Sequence, residues 1–139
     1  MWCGFWAGGV IGSYFFDETD GERYRQMLKE FVWPEIDRLD LGHMWFQQDG
    51  ATCHTSLETR ELIRLKFGER VISKKEEVEW PPRSCDLTPL DFFLWGFLKS
   101  KVYANRPATI EQLKINIRCW ILFEFFRQTK DPASAARCL

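Results

Sequence analysis

Apolar and polar positions follow two alternating periods along the chain. The first sixteen residues carry no charge, and aromatic and β-branched residues surround glycines at 4, 8, 9 and 12. This predicts two short strands, 2–6 and 10–16, joined by a turn at Gly8-Gly9, with a polar loop over 17–21. Tyr24, Met27, Leu28, Phe31 and Val32 then recur at helical spacing on one face. Pro34 breaks or restarts that helix, and Ile36 and Leu39 continue its apolar side. A short strand over 44–48 ends at Asp49-Gly50. Thr55-Ser56-Leu57-Glu58 reads as a capping box opening a helix through Leu62, Ile63 and Leu65, which stops near Gly68. A strand over 70–73, a charged loop over 74–79 and an extended segment Trp80-Pro81-Pro82-Arg83 follow. Thr88 and Pro89 have the residue types of an N-cap and a first helical position. Thr109 and Gln112 form a further capping box before the last helix. The order is strand, strand, helix, strand, helix, strand, helix, helix, an α/β pattern around a mixed sheet.

Composition narrows the picture. With 139 residues, 45% of them apolar, the chain can bury a sizeable core, so disorder over most of its length is not expected. The net charge of −1 lacks the basic excess of a free-standing nucleic-acid binder, which leaves local patches or a bound cation to attract DNA. Cysteines fall at 3, 53, 85, 119 and 138, an odd number without any C-x-x-C pair. That argues for a reduced protein without a zinc site or disulfide framework. The uncharged start has no basic leader and is too short and glycine-rich to span a bilayer. Neither a signal peptide nor a membrane segment is expected.

Two carboxylates stand where chemistry could be done. Asp49 closes a strand, a rigid position for offering an oxygen ligand. Asp91 lies one turn into a helix. Magnesium takes one or two carboxylates plus substrate phosphate, and paired metal ions clamp both oxygens of a phosphoryl displacement. Each residue also has a plainer reading. Asp-Gly is a turn dipeptide, and Thr88-x-x-Asp91 is a helix-capping pattern.

The stretches MWFQQDGATCHTS (44–56) and WPPRSCDLTPLDFFLWG (80–96) resemble the two most recognisable blocks of mariner-type transposases of the DDE superfamily. MWCGFWAGGVIGSYFF (1–16) is similar to the second and third strands of that family's catalytic domain, and VYANRPATIEQLKINI (102–117) to its closing helices. The resemblance covers 1–117 and implies a ribonuclease-H-like mixed sheet flanked by helices, with Mg²⁺- or Mn²⁺-dependent cut-and-paste of DNA ends in the nucleus. It matches Asp49 to the second catalytic and metal-binding carboxylate and Asp91 to the third. His54 matches a histidine beside the active site, either supporting it or contacting substrate; a packed structural histidine is the other reading. Asp86 is expected to fix the turn before Asp91 rather than bind metal.

The departures shape the functional expectation. The family's first catalytic Asp lies on a central strand ahead of the segment that matches 1–16. On this reading the chain lacks that strand, so its sheet keeps a gap, rearranges, or associates with another chain through unpaired edges. DNA cleavage by the isolated chain is not expected. The alternative is a domesticated, non-catalytic DNA- or protein-binding module with Arg83, Lys99 and Lys101 facing its partner. Solvated surface charge is the plainer account of those three. Residues 118–139 no longer resemble the family and read as a divergent tail. As a helix, its apolar residues cover most of the circumference, so it must be buried or leave a sticky patch.

Overall fold

In the computed structural model the described residues are 1–18, 20–81, 85–88 and 90–128. They divide into two compact units, one built from 16–84 and the other from 1–15 with the chain from Cys85 onward.

The second of these opens with a hairpin. Strands β1 (Trp2–Trp6) and β2 (Gly9–Tyr14) pair antiparallel. Trp6 faces Gly9, so the two-residue loop is Ala7-Gly8, one position earlier than the pattern suggests. Gly8 is required there, because a Cβ would lie 2.2 Å from the Trp6 indole. The register shifts between Trp2↔Tyr14 and Gly4↔Ile11, which leaves one extra residue on β2. Gly12 carries that bulge at φ 73°, a conformation glycine adopts without steric cost. The hairpin packs against α6 (Ile110–Gln128), which packs in turn against α5 (Trp95–Val102). Cys3, Leu94, Leu98 and Ile121 form the buried centre, with Val10, Leu90, Trp95, Ile117 and Trp120 around it. Burial pushes the Cys3 thiol up to about 12, which makes it an inert core residue.

The chain enters α5 through a 3₁₀ turn at Cys85–Leu87 and a π-helical turn at Leu90–Leu94. The Asp91 amide donates to the Thr88 carbonyl (2.8 Å), which places the expected helix start, while Pro89 lies outside the described residues. The expected cap of α6 is present: Thr109 Oγ1 accepts from the Gln112 amide (3.2 Å), and Gln112 Oε1 accepts from the Ala108 amide (3.2 Å). Helix α6 runs unbroken through Arg118, where the family resemblance stops. Ile121 is buried within it, whereas Leu122 and Phe123 are more than half exposed. The part of the tail beyond residue 128 lies outside the described residues.

The unit built from 16–84 begins with α1 (Gly21–Met27), capped by Asp20, whose carboxylate accepts from the Arg23 amide at 2.8 Å. A π-helical turn, Leu28–Val32, leads into α2 (Trp33–Arg38). The helical path therefore continues past Pro34, which sits in the first turn of α2 where its missing N–H costs least. Tyr24, Met27, Leu28, Val32 and Ile36 are buried along one side, as the spacing predicts.

Strand β3 (Phe46–Gln47) pairs in parallel with β4 (Val71–Ile72), both shorter than expected. Between them lie α3 (Thr52–Thr55) and α4 (Leu57–Phe67). The N-cap of α4 is Ser56, which accepts from the Thr59 amide at 3.3 Å, so the cap falls one residue after the predicted Thr55. Gly68 at φ 63° ends the helix as expected. The buried side of α4 is Thr59, Ile63 and Phe67, while Leu65 is exposed. Trp33, Phe46 and Phe67 form an aromatic triangle with ring centroids 5.0–6.0 Å apart.

The strands therefore make one antiparallel and one parallel ladder of two strands each, rather than one mixed sheet. Among the described residues no ladder joins the two. Short strands and early turns limit each ladder: β3 and β4 contribute two residues apiece before Asp49-Gly50 and the 74–79 loop redirect the chain.

Candidate functional site

Asp49 follows β3 by one residue. Gln48, between them, points into the unit and is buried, although it is polar. Its amide is fully engaged. Nε2 donates to the His54 carbonyl (3.0 Å) and to Ser73 Oγ (3.2 Å), and Oε1 accepts from the Tyr24 hydroxyl (3.1 Å). Ser73 is fully buried just after β4. The network ties the end of β3 to α1, α3 and the end of β4. A satisfied buried polar group of this kind fixes local geometry, because any rearrangement would leave its partners unpaired.

That anchor delivers Asp49 to the surface with its carboxylate oriented. Oδ1 accepts from the Ala51 amide (3.0 Å) and from His54 Nδ1 (2.6 Å). Since a carboxylate only accepts, Nδ1 carries the proton. The His54 ring is held from the other side by Tyr24, with ring centroids 4.5 Å apart, and its side chain is 18% exposed against 53% for Asp49. The His54 hydrogen bond holds the Asp49 carboxyl below the usual carboxylate range, helped by the Ala51 amide and the His54 charge and opposed by partial burial. Asp49 is thus an oriented, ionised carboxylate. Its second oxygen has no protein hydrogen bond among the described residues.

Such an oxygen suits a hard divalent cation that keeps most of its waters. A closed protein cage is not present: no group of three or more His, Cys, Asp or Glu among the described residues could hold a metal. Asp91 lies in the other unit, on the π-helical turn before α5, and is exposed. Asp86 is exposed in the preceding 3₁₀ turn. Arg83 lies outside the described residues. Lys99 and Lys101 are both exposed on α5, but two residues apart on a helix they emerge about 200° from one another. The Lys101 ammonium is 5.7 Å from the ring centres of both Phe97 and Trp120, a cation–π contact on the aromatic side of the helix.

Sequence reasoning named Asp49 and His54 but passed over Tyr24, Gln48 and Ser73, which hold them. The signal was the Gln47-Gln48 pair: one of two adjacent strand residues must point inward, and an inward glutamine needs built partners.

No helix among the described residues is long and apolar enough to cross a membrane. No family model matches the chain. Among curated proteins, the chain is similar to the Transposable element Tc3 transposase of Caenorhabditis elegans. The two are 42% identical over 74 residues, which make up 52% of this chain and 20% of that protein. The chain therefore shares a substantial stretch with a transposase while matching about a fifth of its length.

Proposed function

We propose that this chain derives from the catalytic domain of a mariner-type DDE transposase, with Asp49 and Asp91 as carboxylates for Mg²⁺ or Mn²⁺ and DNA as the substrate class. The observation that carries this reading is the Asp49–His54 pair at the end of a parallel strand, held by a buried glutamine and leaving one carboxylate oxygen open. The similarity to the Tc3 transposase supports it, as do the blocks around Asp49 and Asp91. On this reading the strands belong to a ribonuclease-H-like domain, and the protein acts in the nucleus. A bound cation would neutralise phosphate charge and polarise the oxygens of the scissile group. Asp49 would contribute one oxygen ligand. His54 orients that carboxylate and keeps it ionised.

Asp49 and Asp91 are two of the three carboxylates that the family uses, and in-line phosphoryl transfer needs both its oxygens clamped. The purified 139-residue chain is therefore expected to leave supercoiled plasmid intact in Mg²⁺ or Mn²⁺ while still binding Mn²⁺. Water-proton relaxation measures that binding. Asp49→Asn is expected to weaken it by about tenfold, roughly the 1.4 kcal/mol that one lost charged ligand contributes at the low end. Nicking of the plasmid that disappears in Asp49→Ala would overturn the expected inactivity. Mn²⁺ affinity unaffected by Asp49→Asn would remove the metal-binding role.

A further inference from the structure

A second feature, whose lining includes neither Asp49 nor His54, lies beside the α3 segment. Asp20, Gly21, Arg25, Thr52, Cys53 and Ser56 line an open cleft of about 350 Å³. Its only cation is Arg25, half-buried on α1. One guanidinium nitrogen reaches Ser56 Oγ at 3.4 Å and Thr59 Oγ1 at 3.5 Å, both long contacts to neutral hydroxyls. No carboxylate among the described residues lies within ion-pair distance of it, unlike Arg23, Arg38, Arg60 and Arg64. Gly21 permits this placement, since a Cβ there would come within 3.1 Å of the Arg25 guanidinium.

Asp20 is turned to its own helix, accepting from the Arg23 amide, with its second oxygen 3.9 Å from the Arg23 side chain. Glu58 feels the Arg25 charge, but its own carboxylate is fully exposed and engaged first by its own amide and by Ser56. Asp49 spends one oxygen on Ala51 and His54. What remains at the cleft is a guanidinium fork with spare donors, beside the hydroxyl of Thr52; the Ser56 hydroxyl is already spent on Thr59 Oγ1 (3.0 Å). That donor set has the chemistry of a phosphate site, for which arginine's planar fork is better suited than an ammonium.

We propose that Arg25, with Thr52, binds a phosphate group of a nucleic-acid backbone in this cleft. The assignment of the phosphate to nucleic acid rests on the function proposed above; the phosphate site itself does not. Thr52 and Ser56 flank Cys53 and His54 on the segment that also orients Asp49. A backbone phosphate held by Arg25 would therefore hold a strand at a fixed distance from that carboxylate.

The test is an amide NMR titration of the full chain, following Thr52, Cys53 and Ser56. One arm uses inorganic phosphate. The other uses a short DNA duplex without terminal phosphates. Both are expected to shift these resonances saturably, with chloride at matched ionic strength giving no such shift. Arg25→Gln is expected to weaken the response about tenfold, and Arg25→Lys, which keeps the charge but not the fork, to fall between. Both arms are run without a divalent cation, so failure of the metal reading and failure of this one are separable. Thermal melts of each variant confirm that the fold is retained, and Thr52→Ala gives a second, milder perturbation with a smaller loss. Shifts that are absent, or equal in wild type and Arg25→Gln, would overturn the site. A response to inorganic phosphate with none to the duplex would overturn its assignment to a nucleic-acid backbone.

Discussion

Asp49 illustrates how little a single residue type says until its neighbours are placed. As part of an Asp-Gly dipeptide it could simply have closed a strand, and its bond to the Ala51 amide is the bond such a turn would make. The distinguishing feature is His54, five residues on and bound to the same oxygen. Because the folded carboxyl is depressed below its unfolded value, the pairing contributes stability above the ordinary carboxyl range near ~4. That contribution is lost as pH falls through the depressed value. His54→Ala is expected to return the Asp49 titration toward the ordinary range, read from its side-chain carbon shift. An unmoved titration would mean that the hydrogen bond does not hold the charge. Gln48 is the other residue of consequence. Gln48→Ala would orphan the Tyr24 hydroxyl, Ser73 and the His54 carbonyl, and is expected to lower unfolding stability by about 1–3 kcal/mol in urea. It should also broaden the His54 resonances, since the ring loses its backbone anchor.

Among the elements, the sequence pattern was most legible where a period or a cap acts locally. The hairpin, the apolar side of α1 and α2, the Gly68 stop and the Thr109 cap all follow from short-range chemistry, and all are present. Misplacements came from choices that only packing decides. Thr55 and Ser56 can both cap a helix, and α3 takes Thr55 as its last residue, leaving Ser56 for α4. Leu65 fits the apolar period, yet the buried side of α4 runs through Thr59 instead. The two π-helical turns have no sequence signature of their own. The 74–79 loop was legible as charged, but its anchor was not. The Glu76 side chain is 4% exposed and accepts from Arg60 Nε (2.6 Å) and Arg64 Nε (2.7 Å), while the Arg60 guanidinium also donates to the Lys75 carbonyl. This clamp ties the loop to α4. Both arginines can turn to water once the acid is gone, so Glu76→Ala is expected to cost about 2 kcal/mol, below the ~3–5 of a fully buried pair. Hydrogen exchange should then accelerate over 74–79 first. Uniform exchange across the loop and α4 would argue against a local clamp.

For the whole molecule, topology order was readable and sheet continuity was not. Strand and helix order follows from alternating periods, but which strands share a ladder depends on long-range pairing that no local signal encodes. The candidate site divides in the same way. The Asp49–His54 pair is assembled by residues close in sequence and is visible in the structure, whereas Asp91 belongs to the other unit and its role rests on the family resemblance. At the start of the tail α6 shows both sides of the expectation, with Ile121 buried and Leu122 and Phe123 exposed. The central proposal is that Asp49 and Asp91 each serve as a cation-binding carboxylate of transposase type. It is tested most directly by paramagnetic broadening of the full chain with substoichiometric Mn²⁺. Selective broadening is expected at the amides of Gly50 and Ala51 and at those of Leu90 and Asp91. It should be reversed by excess Mg²⁺, and lost at each place when the local Asp is changed to Asn. Broadening that is absent at these positions, or unchanged by Asp49→Asn and Asp91→Asn, would contradict the account.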